Sequence, residues 1–327
     1  MTDAQLVSIV TPVYNGGRFL RECIESALSQ THGDFEYIIL DNASTDDTRA
    51  IVQEFAARDG RIRVFRNDHT LPPIENWNRA VALISGSSEF FKILHADDVI
   101  YPQCLGKMIE AAKIDPSIGI VGALRLRGDR IECEGLPTDR MAFGGSAVAR
   151  LFLRQEIFAL APTSGLVRSA LVRARRPFYR PDLLHADIAA YLDMLDRTNF
   201  AFVHEVLTFS REHAGSITAT IAERKQTLLR EWLTLLDDYG PRYFSADELH
   251  VLQRRHLLRC HRLLVRAFAM RRDRPFIEFQ MAGLREAGRL PGTVDFMVAA
   301  AAEVVAALRH PQKVVRQLHR HFPSSPR

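Results

Sequence analysis

Two hydrophobic periods alternate along the first 125 residues. Short β-branched runs read as buried strands: "LVSIVTPVY", "EYIILDN", "RIRVFRN", "EFFKIL" and "GIVGALRL". Between them, apolar residues recur every three or four positions. In "GRFLRECIESALSQ" these are Phe19, Leu20, Cys23, Ile24, Ala27 and Leu28, a stripe along one helical face. Ser44 and Asp47 resemble a capping box that opens a second helix carrying Ile51, Val52 and Phe55. "IENWNRAVALIS", closed by Gly86, and "PQCLGKMIEAAKI", with proline in its first turn, predict two more. Strand and helix alternating at this spacing predict an α/β fold, a mostly parallel sheet with helices on both faces.

The pattern loosens after residue 123. Residues 123–180 mix short apolar runs with Gly144-Gly145 and Pro162 and suggest no topology. "LLHADIAAYLDML" (183–195) reads as a helix with Asp187 near its start. "FAFVHEVLTFSREHAGSIT" (200–218) reads as a strand and a polar loop with Arg211 and His213. From about 220 the period is helical. One helix runs up to Gly240-Pro241, and a capping box of Ser245 and Glu248 opens a long Arg-rich helix. The expected organisation is a domain over 1–218, divided at 123/124, and a helical basic region over 219–327.

Composition changes this picture little: 47% apolar and 25% charged residues are ordinary globular values. Cys23, Cys104, Cys133 and Cys260 lie far apart without metal-ligand spacing and read as reduced thiols. The first strand begins almost at once, which leaves no room for a signal peptide. The longest apolar stretch, 296–308, is too short for a membrane span and carries Glu303. A cytoplasmic location is expected, at the inner face of the membrane if the protein touches lipid. Charge is more informative. Residues 251–327 hold 15 Lys/Arg and 5 Asp/Glu, net +10, so the rest of a +4 chain carries −6. A basic amphipathic region of this kind suits an anionic membrane surface, while a solvated face packed through its leucines is the blander reading. No aromatic residues interleave with the arginines, which argues against nucleic acid.

Ligands of open α/β sheets bind beyond the carboxyl ends of the strands. Here those ends read Thr11-Pro12-Val13-Tyr14-Asn15, Asp41-Asn42, Arg66-Asn67 and His95-Ala96-Asp97-Asp98. A single acid at such a place is more often a turn residue or a helix cap, and Asp98 could cap the helix beginning near Pro102. Several together are harder to assign to turns. The chain has no GxGxxG and no GxxxxGK[ST], and Gly16-Gly17 marks a turn, so dinucleotide and P-loop readings lose support. Two adjacent carboxylates suit a hard divalent cation, Mn²⁺ or Mg²⁺, shared with substrate phosphates.

With these residues in place, 6–123 resembles the nucleotide-sugar-binding half of the family 2 glycosyltransferases of GT-A fold. "VSIVTPVYN" is similar to that family's opening strand, "IILDNASTDDT" to its second strand and turn, and "HADD" to its DxD-type metal motif. The resemblance implies that Thr11, Pro12 and Tyr14 line the base pocket beside Asn15. It implies that Asp41, next to Asn42, accepts a hydrogen bond from the nucleobase, and that Arg66 lies near the nucleotide. Asp97 would bind ribose or support the metal, and Asp98 would be the principal metal ligand. His95 stands where many members carry an acid. Members begin a later helix with a Glu-Asp pair whose Asp is the catalytic base; here Ala186-Asp187 keeps the Asp alone. "SREHAGSIT" matches an R-x-H segment in which His213 reaches the metal or diphosphate and Arg211 neutralises phosphate. His185 has no such match. Trp77 reads as helix packing, and Asn76 and Asn78 as helix-surface residues near the nucleotide loop.

The expected protein is an inverting, metal-dependent glycosyltransferase. It would use a nucleotide-sugar donor, UDP- or dTDP-linked by preference, and a glycan or lipid-linked acceptor, in the synthesis of a surface polysaccharide or glycolipid. Two alternatives remain open: a sugar nucleotidyltransferase, and a catalytically degenerate nucleotide-binding scaffold.

Overall fold

A computed structural model of the chain describes residues 5–216 and 218–309. The chain forms two compact units, dividing after Ser216. The first holds β1 (Val7–Val13), α1 (Leu20–Leu28), β2 (Phe35–Asp41), α2 (Thr48–Ala56), β3 (Ile62–Arg66), α3 (Pro73–Val81), β4 (Phe90–Ile93), β5 (Val99–Ile100) and α4 (Cys104–Ala112). It continues through β6 (Ile118–Arg127), β7 (Arg130–Glu132), β8 (Ala142–Phe143), α5 (Gly145–Leu153), β9 (Gly165–Arg168), α6 (Ser169–Arg173), α7 (Ala186–Leu195) and β10 (Asn199–Ser210). The second holds α8 (Thr227–Tyr243), α9 (Ala246–Ala269), α10 (Arg274–Glu286) and α11 (Thr293–Arg309).

The strands form one ten-stranded sheet in the order β3-β2-β1-β4-β9-β6-β10-β5, with β7 beside β6 and β8 beside β10. Every residue of β1 and β2 is buried, as expected of strands covered on both faces. Val7, Ile9, Val13, Tyr37 and Ile39 meet Leu20, Cys23, Ile24 and Ala27 of α1 and Val52 and Phe55 of α2 in the main core. β1, β2, β3 and β4 are mutually parallel, as the alternation predicts. The stretch left without topology supplies β9, which is antiparallel to both β4 and β6. Two reversals restore direction, so β6 runs with β4, and β10 pairs parallel with β6. The carboxyl ends of β1, β2, β3, β4 and β10 therefore share one edge of the sheet.

Several local expectations change. Ser44 and Asp47 form no capping box, and the start of α2 has no side-chain cap. The Ser44 hydroxyl instead accepts from the Asn15 amide, 2.9 Å away. α3 stops at Val81, well before Gly86, and Pro102 precedes the Gln103 cap of α4 rather than lying in its first turn. α8 passes through Gly240-Pro241 to Tyr243. A proline in the last turn forfeits one amide bond, and the chain turns extended at Phe244 immediately afterwards. The Ser245–Glu248 capping box is formed as expected, with Glu248 N donating to Ser245 Oγ at 3.3 Å and Ser245 N to the Glu248 carboxylate at 3.1 Å.

Candidate active site

The shared edge is stapled before any ligand is considered. Asn15 adopts a left-handed backbone (φ 49°) at the exit of β1, and its Oδ1 accepts from Thr45 N at 2.9 Å. Gly16 N donates to Thr48 Oγ1 and Gly17 N to Asp46 Oδ2, both at 2.9 Å, so these amides are engaged by side chains. Thr11 is fully buried: its hydroxyl donates to Leu94 O at 2.7 Å and meets Tyr37 Oη at 3.0 Å. Pro12 is buried beside it, while Tyr14 is 53% exposed at the edge.

At the ends of β2 and β3, buried Asp41 accepts from Ser44 N at 2.9 Å and is ion-paired with Arg66, whose guanidinium also reaches Ser44 O. Asn42 donates to Leu71 O and accepts from Leu71 N, both at 2.9 Å, and from Asn67 Nδ2 at 2.7 Å. Asn67 also donates to Asn76 Oδ1 at 2.9 Å. Asn76 is therefore part of a buried amide chain that holds the loop after β3. Asn78 makes a two-way bond with the Tyr179 backbone, at 2.7 and 2.8 Å. The two asparagines of α3 thus hold opposite flanks of the site.

The acid pair sits in the turn between β4 and β5, and its members face different surroundings. Asp98 is buried and caps no helix. Its Oδ2 accepts from the Thr163 hydroxyl and from Ser210 Oγ at 3.2 Å, and its Oδ1 from Arg211 N at 3.2 Å. Burial, reinforced by the neighbouring Asp97 charge, pushes its carboxyl above the ordinary aspartate range. Asp97 is half-buried, and its Oδ2 lies 2.9 Å from His213 Nε2. Arg211 Nε donates to Asp97 O at 3.3 Å, and both Arg211 and His213 pack on the Phe19 ring. Residues 116 positions apart meet because β10 runs parallel to β4.

The fully buried Lys92 of β4 lies beneath this turn. Its ammonium donates to Thr163 O at 2.7 Å and Gly165 O at 3.2 Å, and burial pushes its pKa down. Lys92 thus fixes the segment whose Thr163 hydroxyl holds Asp98. Neither residue follows from local pattern. The lysine inside the apolar run "FFKIL" is a signal that an acceptor must be buried nearby, but nothing in the sequence says where.

Asp187 is the second residue of α7, whose N-cap position is His185. Burial pushes its carboxyl above the ordinary range, opposed by the nearby His185 and His95. His95 opposes the rise at Asp98 in the same way. The Trp77 ring stands 5.3 Å from His95 and 5.8 Å from Tyr179, so it packs between the end of β4 and the Tyr179 segment. Burial and the Asp187 charge both raise the Tyr179 and Tyr191 phenols.

Among the described residues no three His, Cys, Asp or Glu side chains converge on one metal position. Asp97 and His213 do converge, an oxygen and an imidazole nitrogen. That donor pair fits a hard divalent cation that completes its shell with substrate phosphate and water. The Asp98 oxygens are already engaged by three protein donors.

A mostly parallel sheet with these polar side chains gathered on one carboxyl edge has the architecture of the GT-A fold. The glycosyl transferase family 2 model matches residues 8–173, just over half the chain, and the protein belongs to that family. The glycosyltransferase GlyG of Streptococcus pneumoniae is 33% identical over 97 residues, 30% of this chain and 32% of that one. An Escherichia coli chondroitin synthase is 35% identical over 125 residues, 38% of this chain and 18% of that one. The matched stretch thus spans about a third of GlyG (32%) and less of the synthase. Among solved structures, S. aureus TarS 1–349 in complex with UDP-GlcNAc superposes with a TM-score of 0.63 at 15% identity, covering 85% of this chain and 79% of that one. The mannosyltransferase PcManGT of Pyrobaculum calidifontis, in complex with GDP-Man and Mn²⁺, gives 0.56 at 15% identity, covering 96% and 84%. At these identities the likeness is one of fold.

Proposed function

We propose that the protein is an inverting, divalent-metal-dependent glycosyltransferase that moves a sugar from a nucleoside diphosphate, UDP or dTDP by preference, to a hydroxyl of a glycan or lipid-linked acceptor during surface polysaccharide synthesis. Residues 1–218 would form the catalytic domain and 219–327 an accessory region. The observation that carries the reading is the meeting of Asp97 with His213 on the sheet edge that also presents Asp41, Arg66 and Tyr14.

In this reading Tyr14 lies against the base, while Thr11, Pro12, Asn15 and Asn42 shape the pocket from behind. Asp41 accepts from the base, and Arg66 orients Asp41 and shields its charge. Asp97 and His213 would hold the metal. Asp98 anchors the turn that carries Asp97, through Thr163, Ser210 and the Arg211 amide. When bound, Mn²⁺ or Mg²⁺ neutralises charge on the diphosphate. Arg211 adds a fixed positive charge beside it. Asp187 takes the proton of the acceptor hydroxyl as that oxygen attacks the anomeric carbon. The bond to the diphosphate breaks with its electron pair on the leaving phosphate, which gives inversion in one displacement. The half-buried Trp77 and His95 rings would lie against the sugar, with buried Tyr179 supporting Trp77 from behind. The family match, and the names of relatives such as the chondroitin synthase, support polysaccharide as the product class.

The test is donor turnover with UDP-, dTDP- and GDP-sugars in Mn²⁺, Mg²⁺ or EDTA. One donor class should turn over, with loss in EDTA and a drop of about 100-fold in His213→Ala. Turnover that ignores EDTA and His213→Ala would refute the metal assignment. Release of pyrophosphate from a nucleoside triphosphate and a sugar phosphate would replace the reading with a nucleotidyltransferase.

A further inference from the structure

α11 is mostly apolar, with Asp295, Glu303 and Arg309 its only charged residues. Its inner face is spent on α9: Ala299 is buried, Glu303 is ion-paired with Arg262 and Arg266, and Phe296 meets Phe268 edge-on at 6.1 Å between ring centres. Its outer face carries Val294, Met297, Val298, Val304, Val305 and Leu308, each between 46% and 76% exposed. At 3.6 residues per turn these six fall within an arc of about 120°, with Ala301 the remaining residue of the stripe. A continuous apolar stripe along a 17-residue helix is far from the scattered exposure that a soluble surface normally shows. No helix among the described residues is long and apolar enough to cross a membrane.

Charge selects the occupant. From Arg309 onward the chain holds Arg309, Lys313, Arg316, Arg320 and Arg327, and no Asp or Glu. An apolar helical face within a stretch of net charge +10 (251–327) complements a surface that is apolar within and anionic at its boundary. A second copy of the chain would bring the same net charge of +10 over 251–327 and repel it. The Arg-rich α9, the more obvious membrane element in the sequence, is less suited. It packs its leucines inward and commits Arg262 and Arg266 to Glu303.

We propose that the outer stripe of α11 docks this protein on an anionic lipid bilayer, lying in the interface with Val298 and Val305 near the centre of the contact. The inference does not depend on the reaction assigned above. It concerns where the chain resides, and donor turnover in solution can succeed or fail separately.

The full chain, Val298→Asp/Val305→Asp and Val298→Ala/Val305→Ala would be sedimented with vesicles of phosphatidylcholine alone or with 30% phosphatidylglycerol, while light scattering and melting are followed on the same samples. The expected result is binding of the wild type to the anionic vesicles, at least tenfold weaker to the neutral ones. Binding should fall at least tenfold in the aspartate variant and less in the alanine variant, with melting unchanged in both because the sites are exposed. Equal binding by wild type and the aspartate variant would overturn the proposal, as would no binding by the wild type. A wild-type dimer that becomes monomeric in the aspartate variant, without vesicle binding, would assign the stripe to a self-interface instead.

Discussion

Asp187, the proposed base, shows how surroundings tune one carboxyl. An aspartate in water is a weak base at neutral pH, with an ordinary value of 3.8, and burial raises this one. A base works ionised, so the rate of transfer should rise with pH through that raised value, with its acid limb above the range of a free aspartate. Asp187→Asn should remove the limb and lower kcat about 1,000-fold. Stability should respond in the opposite sense. The fold favours the neutral carboxyl relative to the unfolded chain, so Asp187 contributes most below the unfolded value and loses that contribution as pH rises through the folded one. The asparagine variant should therefore melt at or above the wild-type temperature at pH 8. A variant that loses activity and melting temperature together would reduce Asp187 to a structural acid. At this scale "HADD" and the R-x-H segment were legible as motifs, because each lies within a few residues. The different hydrogen-bond partners of the two acids were not. Asp98 is the more engaged because Thr163 and Ser210, 65 and 112 residues away, donate to it.

Strands and helices gain their anchoring from side chains that cross between them. Glu36 of β2, 8% exposed, is held by Ser8 of β1, by Arg63 of β3, and by both the amide (2.8 Å) and the hydroxyl (2.8 Å) of Ser85 beyond α3. Burial raises its pKa, but these bonds outweigh burial and the net direction is down. A depressed carboxylate stabilises the fold above its unfolded value and ceases to do so as pH falls through the folded one. Glu36→Gln should cost about 1–3 kcal/mol in urea unfolding at pH 7 and less at pH 3. An equal cost at both would remove the charge from the explanation. The four strand–helix repeats were readable because β-branched runs and 3–4 spacing are local signals. β9 was not, since "GLVR" has no period of its own and becomes a strand by fitting between β4 and β6. The Ser44–Asp47 capping box failed for a related reason: the polar side chains of that turn serve the β1 exit loop, a tertiary partner.

Every residue assigned to the donor site lies between Thr11 and His213, within the unit that ends at Ser216. A fragment 1–216 should therefore keep a nucleotide-dependent rise in melting temperature, since ligand stabilises by mass action whatever follows in the chain. A fragment that folds but shows no shift with any nucleoside diphosphate in Mn²⁺ would mean that the helical unit completes the site. Class of fold, the polar strand ends and the charge asymmetry were all written in short-range pattern and composition, where period and net charge suffice. Strand order, the meeting of Asp97 with His213, the buried Lys92 and the outward stripe of α11 depend on contacts between segments tens to hundreds of residues apart. Periodicity marks a face as apolar, but whether that face is buried is set by what packs against it: alanines of α11 found α9, and its valines found nothing among the described residues.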